Sequence, residues 1–464
     1  MADAALVLAA GKGTRMGTAL PKVLHQLAGR PILFRVLEAL GDAGFSSPLI
    51  VVGYEADRVR AALPDARFAY QTEQRGTGDA ARAGLEALSP EVDRVLIVPG
   101  DHPLPAQTYR DLLDLQRRTD ADLAIVTTRA TDSQLGRVIR QDGRPVAIRE
   151  NGELRADEPP SDEINLGCYV FKTAALKKCL AALRPHPPKN ELYLTDLVEA
   201  FAQADRRIEA LTIEGGDEIL GINTLEQLEA ASKAIYRATN ARLMAGGVTI
   251  RDASSTFIDD RATIAAGTVI EPFSLLSGET TIGADCIIGP STTVDGSRIG
   301  AGCRIVSSSV ESGTVGDGVR VGPYAHLRPG ACIGDRAEIG NYAEIKRTVL
   351  GAGSRVHHFS YLGDAQIGRN VNIGAGTVTC NFDGQAKHRT IIEDGAFIGS
   401  GTMLRAPVRI GRGAATGAGS VVTRDVPAGV TVAGVPARPL GKLHRGEGGE
   451  RGSPAIEPAE RETA

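Results

Sequence analysis

An aliphatic residue returns at every sixth position through "VGPYAHLRPGACIGDRAEIGNYAEIK": Val321, Leu327, Ile333, Ile339 and Ile345. At about 100° per residue an α-helix would turn roughly 240° between successive members, scattering them over three faces. A plain strand would need apolar residues at alternate positions. Here Pro323, Pro329, Asp335 and Asn341 stand between, and small Ala325, Ala331, Ala337 and Ala343 each follow an aliphatic by four positions. The chain must therefore turn after each short extended segment. One aliphatic and one small residue per flat face, stacked coil on coil, is what a hexapeptide β-helix requires, because each coil buries its aliphatics only against its neighbours. Ile392, Ile398, Leu404 and Ile410 repeat the period, Thr416 holds the next place and Val422 resumes it, with weaker copies in "TIAAGTVI", "TIGADCIIGP" and "NIGAGTV".

The repeats occupy only the second half of the 464 residues, and 42% hydrophobic with 23% charged residues supplies core enough for further domains. Over 1–224, short apolar runs such as "PLIVVG" and "RVLIVPGD" alternate with helical patterns such as "DAARAGLEAL", which predicts a mostly parallel, Rossmann-like α/β sheet with ligands at the carboxyl ends of its strands. Residues 225–245 read as one linker helix with Leu225, Leu228, Ala231, Ile235 and Ala238 on one face. The β-helix is expected over 246–440, and the charged, Gly/Pro-rich stretch 441–464 as a disordered tail. A net charge of −4 gives no support to nucleic acid as a partner, and no apolar run reaches membrane-spanning length. The opening "MADAALVLAAGKG" leads with an acidic residue and runs into a Gly-rich turn, unlike a signal peptide. Cys168, Cys179, Cys286, Cys303, Cys332 and Cys380 form no CxxC pair and read as reduced, mostly buried thiols of a cytoplasmic protein.

In "LVLAAGKGTRMGTALPK" an apolar strand empties into Gly11, Lys12, Gly13, Thr14 and Arg15, then Pro21 and Lys22. Glycines let backbone N–H groups approach a phosphate, and cations there offset charge on a transferring phosphoryl group. Asp101 in "VPGDHPL" is by its position either a turn or cap residue or a Mg²⁺ ligand, and Asn223 in "LGINTLEQL" stands where a helix N-cap would. The run GxGTRMxxxxPK resembles the signature of the sugar-phosphate nucleotidylyltransferases. That resemblance implies substrate contacts from Leu8, Ala9, Ala10, Gly11, Lys22, Gln71, Gly76, Thr77, Gly100, Asp101, Gly136, Glu150, Asn165 and Asn223. It further implies Mg²⁺ on Asp101 and Asn223, with Arg15 and Lys22 acting in catalysis. Pro99 stands where the family commonly has an aromatic, and Asn151–Gly152–Glu153 follow Glu150 in place of Lys-Asp-Ala.

The repeat region carries its own chemistry where the period is expected to break: at "SRVHHFSYLGD", with His357, His358 and Tyr361, and at a loop-like insertion from Asn381 to Arg389. A neutral imidazole suits removal of a proton from an amine, and the period alone does not choose between His357 and His358. His358 comes with Arg328, Lys346, Tyr361 and Asn372, and basic groups among acid-poor coils suit a sugar phosphate. From Leu6 to about Leu440 the chain resembles the bacterial bifunctional N-acetylglucosamine-1-phosphate uridylyltransferase/glucosamine-1-phosphate acetyltransferases, through "LRPG", "AEIK", "HHFSYLGD", "VNIGAGTVTCNFDG", "FIGSGT" and "TGAGS". The resemblance implies a left-handed parallel β-helix and His358 as general base. It implies Arg328, Lys346, Tyr361 and Asn372 on the sugar phosphate, and Ala375, Asn381, Phe382, Ser400 and Ala418 lining coenzyme A, Phe382 replacing the usual Tyr. It also implies acetyl transfer from acetyl-CoA to glucosamine-1-phosphate, then transfer from UTP to N-acetylglucosamine-1-phosphate, feeding peptidoglycan and lipopolysaccharide synthesis, in a cytoplasmic homotrimer. A monofunctional nucleotidylyltransferase with a purely structural β-helix, or a non-enzymatic scaffold, would share the two folds.

Overall fold

The computed structural model describes residues 2–130, 135–150, 158, 161–186, 190–214 and 221–440; the expected tail and the segment 151–153 lie outside them. The chain forms two compact units, Met1–Ala241 and Arg242–Ala464.

The first unit is built on a mixed sheet whose main path runs Ile208–Thr212, Leu123–Arg129, Glu163–Lys172, Val92–Pro99, Ala2–Ala9, Leu49–Val52, Arg67–Tyr70. Ala2–Ala9 lies parallel to both its neighbours, with Leu8 opposite Pro99 and Ala9 opposite Val52. Its side chains alternate between two buried layers: Ala5, Val7 and Ala9 pack with Leu33, Val36, Leu40 and Leu112 of the helices on one face, and Leu6 with Ala81, Leu85, Leu176 and Phe201 on the other. Burial on both faces explains why the strands read as continuous apolar runs. Glu163–Lys172 runs antiparallel to both neighbours. Its first residues, Asn165 among them, are therefore delivered to the edge where the parallel strands end.

Leu225–Ala245 forms one helix. Its packed face differs from the expected one. Leu228, Ala231 and Ile235 pack against Met16, Leu27, Ile32 and Ile222, whereas Leu225 is 48% exposed and Ala238 is exposed. Thr239 is buried in its place. At 3.6 residues per turn both +3 and +4 positions stay near the stripe, and after Ile235 the helix takes the +4 position.

In the second unit the hexapeptides become two- to four-residue strands in three sheets of 12, 10 and 9 strands, the faces of a left-handed parallel β-helix. Except for the last strand, Arg438–Pro439, which folds back antiparallel on Thr431–Ala433, the strands pair with those a full coil later, so Ile264 meets Ile282 eighteen positions on and Ile282 meets Ile299 seventeen on. The period-six aliphatics Val321, Leu327, Ile333, Ile339 and Ile345, and the small residues Ala325, Ala331, Ala337 and Ala343, are all at most 3% exposed. Thr416 occupies a core place because its hydroxyl is satisfied by Gly399 N–H and Thr402 Oγ1, both at 2.9 Å. Corners turn through left-handed backbone even without glycine, as at Tyr324 (φ 60°) and Tyr342 (φ 58°). The expected break at "HHFS" does not occur: Val356 pairs with both Ile339 and Ile373, and Tyr361 with Glu344 and Val378, so the segment is an ordinary corner between two faces. The insertion is different, for Thr379 meets Leu404 twenty-five positions on. Cys168, Cys286 and Cys303 are buried thiols, whereas Cys332 is exposed because it precedes the inward Ile333.

Candidate active sites

At the carboxyl edge of the first unit's sheet lies a cavity of about 640 Å³ lined by Leu8, Ala9, Ala10, Gly11, Arg15, Lys22, Gln71, Gly76, Thr77, Asp101, Glu150, Asn165 and Asn223. Gly13 shapes its rim. Gly13 has φ 61°, and a Cβ there would stand 2.6 Å from Lys22 Cβ, so only glycine lets the Lys22 segment close over the turn. Lys22 Nζ then lies 2.5 Å from Asp101 Oδ2 and donates to Asn223 Oδ1 at 2.8 Å. Arg15 Nη2 donates to the same Asn223 oxygen at 2.9 Å. Four residues from three distant parts of the sequence thus form one charged cluster.

The opposite wall is fixed by polar contacts. Gln71 is buried, and its Nε2 donates to Gly76 O and Asp79 Oδ2, each at 3.0 Å. Thr77 Oγ1 accepts from Leu194 N–H at 2.9 Å. Asn165 Nδ2 donates to Tyr169 Oη at 2.7 Å; burial holds the Tyr169 phenol protonated, well above its ordinary pKa. Gly100 and Gly136 lie behind the wall: Gly100 N–H donates to Leu8 O, and Gly136 O accepts from Asn165 N–H. Sequence reasoning missed Thr195, which stands at a helix N-cap yet gives its hydroxyl to Glu150 Oε1 at 3.0 Å. No spacing in the sequence links those two residues.

On the β-helix, Arg328 and Lys346 occupy equivalent places in successive coils of one sheet, with Tyr361 beside Glu344 on the same face. Arg328 Nη1 donates to Glu344 Oε1 at 2.7 Å, which holds its guanidinium above the ordinary pKa. Lys346 is held below the ordinary lysine range chiefly by Lys387, then by Arg328. Lys387 lies on the inserted loop, and periodicity gave no sign of it. Asn372 sits on a different sheet from these residues, beyond the corner that carries His358.

That corner is ordered by register. Val356, Ile373, Ile398 and Thr416 pair in succession, and two positions beyond each come His358, Ala375, Ser400 and Ala418. Those four residues therefore form one column. The next column runs from Phe359 to Gly376, Gly401 and Gly419, an aromatic followed by bare backbone. His357 Nε2 lies 2.7 Å from Glu338 Oε2. His358 has no hydrogen-bond or ion-pair partner among the described residues; its ring meets His357 edge-on at 6.3 Å. The period left these two histidines equivalent; the structure separates them. Asn381 is buried beneath the loop, and Phe382 is 58% exposed on it.

Residues 5–217 match the model of the MobA-like NTP transferase domain, and 312–347 and 389–424 match that of the bacterial transferase hexapeptide repeats. The bifunctional protein GlmU of Heliobacterium modesticaldum is 44% identical over 429 residues, 92% of this chain and 94% of that one. The GlmU of Pelobacter propionicus is 44% identical over 433 residues (92% and 94%), and that of Lactococcus lactis 41% over 427 (91% and 93%). A strand-end transferase cavity and a register-built corner on hexapeptide coils, joined in a chain alignable with these proteins nearly end to end, leave one assignment: the chain belongs to the bifunctional GlmU family.

Proposed function

We propose that the chain makes UDP-N-acetylglucosamine in two transfers at two sites. On the β-helix, glucosamine-1-phosphate binds through Arg328, Lys346, Tyr361 and Asn372. Its 2-ammonium loses a proton to His358, and the free amine attacks the thioester carbonyl of acetyl-CoA; coenzyme A leaves as the thiol. The observation that carries this reading is the column of His358, Ala375, Ser400 and Ala418, which sets a partner-free imidazole in line with the residues proposed to bed coenzyme A. Asn381 and Phe382 complete that bed. A positioned base typically contributes ~10²–10⁴-fold.

In the α/β unit the phosphate of N-acetylglucosamine-1-phosphate attacks the α-phosphorus of UTP and pyrophosphate leaves. Gln71, Gly76 and Thr77, with the turn Leu8–Gly11, hold the nucleotide, and Glu150 and Asn165, backed by Gly136, hold the sugar. Arg15 and Lys22 stabilise charge on the transferring phosphoryl group. Asp101 and Asn223 would hold Mg²⁺. Their oxygens already converge on one cation, the Lys22 ammonium, at 2.5 and 2.8 Å, and such oxygen donors are those a hard divalent ion takes. When bound, Mg²⁺ supplies neutralisation of charge on the phosphate oxygens.

The β-helix surface exposes Phe273, Tyr324, Tyr342, Phe359 and Phe397, which supports burial between three parallel copies in a homotrimer. Among the described residues no helix is long and apolar enough to cross a membrane, and UTP and acetyl-CoA as substrates favour the cytoplasm. Incubation with glucosamine-1-phosphate, acetyl-CoA, UTP and Mg²⁺, with products identified by mass, tests the whole reading. UDP-N-acetylglucosamine is expected; glucosamine-1-phosphate left unacetylated, with UDP-N-acetylglucosamine formed only when N-acetylglucosamine-1-phosphate is supplied, would reduce the chain to a nucleotidylyltransferase.

A further inference from the structure

The insertion that lengthens one coil, Asn381–Arg389, is closed into a compact loop by its own polar groups. His388 N–H donates to Asn381 O at 2.7 Å, and Asp383 N–H to Ala386 O at 3.2 Å. Asp383 Oδ1 accepts from Gln385 N–H at 2.8 Å and Ala386 N–H at 2.7 Å, and its Oδ2 lies 2.6 Å from His388 Nε2. None of these bonds ties the loop to the coils beneath it.

One residue does so at both ends of the loop. Asp364 is a corner residue one coil earlier, in left-handed backbone (φ 51°), with its side chain 17% exposed. Its Oδ2 accepts from Asn381 Nδ2 at 2.5 Å, at the loop's first residue. Its carbonyl accepts from Thr390 N–H at 3.3 Å, immediately after the loop's last residue. Its Oδ1 lies 2.7 Å from the Arg347 guanidinium, and its N–H donates to Lys346 O at 3.1 Å. The same residue therefore fixes the backbone beside Lys346 and the loop whose Lys387 charge acts on the Lys346 ammonium. The preceding Gly363 clears the space: a Cβ there would stand 2.4 Å from Tyr361 Oη and 2.8 Å from Asn381 Nδ2. We propose that Asp364 is a positioning residue of the acetyl-transfer site, a clamp that closes the inserted loop on the coils and so sets Asn381, Phe382 and Lys387 against Lys346 and Tyr361. A carboxylate is needed because it must accept from an amide and balance a guanidinium at once.

This inference rests on the acetyl-transfer reading for its kinetic consequence and not for its structural one, and the test separates the two. Trypsin cleaves after Lys387 and Arg389, inside the loop, and peptide mass spectrometry of the intact chain reads those cuts individually. Asp364→Ala should speed both by about tenfold, since the charge-assisted bond from Asn381 Nδ2 is lost and the Arg347 pair that holds residue 364 in place goes with it, leaving only the backbone bond from Thr390 N–H. Cleavage elsewhere and uridylyl transfer should be unchanged. KM for glucosamine-1-phosphate and acetyl-CoA should rise by a larger factor than kcat falls, because His358 stands on a coil outside the loop. Asp364→Asn, which keeps the volume and one acceptor, should fall between wild type and Asp364→Ala in both readouts, and it decides the matter where Asp364→Ala does not fold. Loop cleavage unchanged in both variants would overturn the clamp, as would faster cleavage with unaltered KM values. A wild-type chain without acetyltransferase activity, its loop still loosened by the substitution, would support the clamp and remove the acetyl-transfer reading instead.

Discussion

The two sites manage charge in opposite ways. In the α/β unit, Arg15, Lys22, Asp101 and Asn223 satisfy one another: one amide oxygen takes two cations, and one of those cations is also held by the carboxylate. Substrate or metal can enter such a cluster only by exchanging partners. On the β-helix, Lys346 feels the charge of Lys387 and neither has a carboxylate partner among the described residues, where His358 likewise has no hydrogen-bond or ion-pair partner. On the proposed reading, that leaves the site's positive charge for an anion and the imidazole for the substrate amine. The scaffold explains the contrast. A sheet edge gathers residues from loops that can fold toward one another, whereas coils about 4.8 Å apart repeat each position on a fixed lattice that keeps neighbouring side chains in their own columns.

The substitution expected to separate the two sites most sharply is His358→Ala. Acetyl transfer should fall by ~10²–10⁴-fold, with uridylyl transfer to preformed N-acetylglucosamine-1-phosphate unchanged; His357→Ala, which breaks the exposed pair with Glu338 and the edge-on ring contact with His358 but keeps the His358 imidazole, should leave acetylation near normal. Separate assays of the two half-reactions check this, and a reversal of the two phenotypes would move the base by one residue. Asp101→Ala should do the converse, lowering UDP-sugar formation by about 10²–10³-fold while acetylation persists. Unchanged UDP-sugar output would remove Asp101 from the metal site.

Smaller effects sharpen the contrast between a self-saturated and a waiting site. Gly13→Ala forces an L side chain into φ 61° and against Lys22 Cβ at 2.6 Å, a strain of ~1–3 kcal/mol. About a tenfold fall in uridylyl transfer is expected, with the acetyl half-reaction untouched; equal rates would mean that Lys22 does not depend on that turn. Lys387→Ala should raise KM for glucosamine-1-phosphate by roughly fivefold, as suits one exposed charge, with kcat little changed. It should also let the Lys346 pKa climb back toward the ordinary lysine value, because Lys387 is the main cause of its depression. Titration of Lys346 by NMR reads that shift, and a static pKa would mean that the Lys387 charge does not act on Lys346.

Much of this was legible in the sequence because it depends on what must be buried. The period-six aliphatics and their small companions had one geometric solution, and Arg15, Lys22, Asp101 and Asn223, which the family resemblance assigns to one site, lie in one cluster in the structure. What escaped was governed by phase and not by composition. The "HHFS" segment looked like a break, yet coils of seventeen residues absorb it without losing register. The linker helix chose Thr239 over Ala238 because both lie near one stripe. Thr195, Asp364 and Lys387 are polar residues on which no burial period acts. Their roles exist only once Glu150, Asn381 and Lys346 have been brought beside them.

The central claim is that one chain carries two separable sites joined by a released intermediate. The most direct test supplies glucosamine-1-phosphate, acetyl-CoA, UTP and Mg²⁺ to His358→Ala alone, to Asp101→Ala alone, and to a mixture of the two separately purified proteins. The account predicts that neither variant alone forms UDP-N-acetylglucosamine at an appreciable rate, that Asp101→Ala accumulates N-acetylglucosamine-1-phosphate, and that the mixture forms the nucleotide sugar after a lag. A mixture as inactive as its components, with Asp101→Ala accumulating no acetylated sugar phosphate, would contradict it.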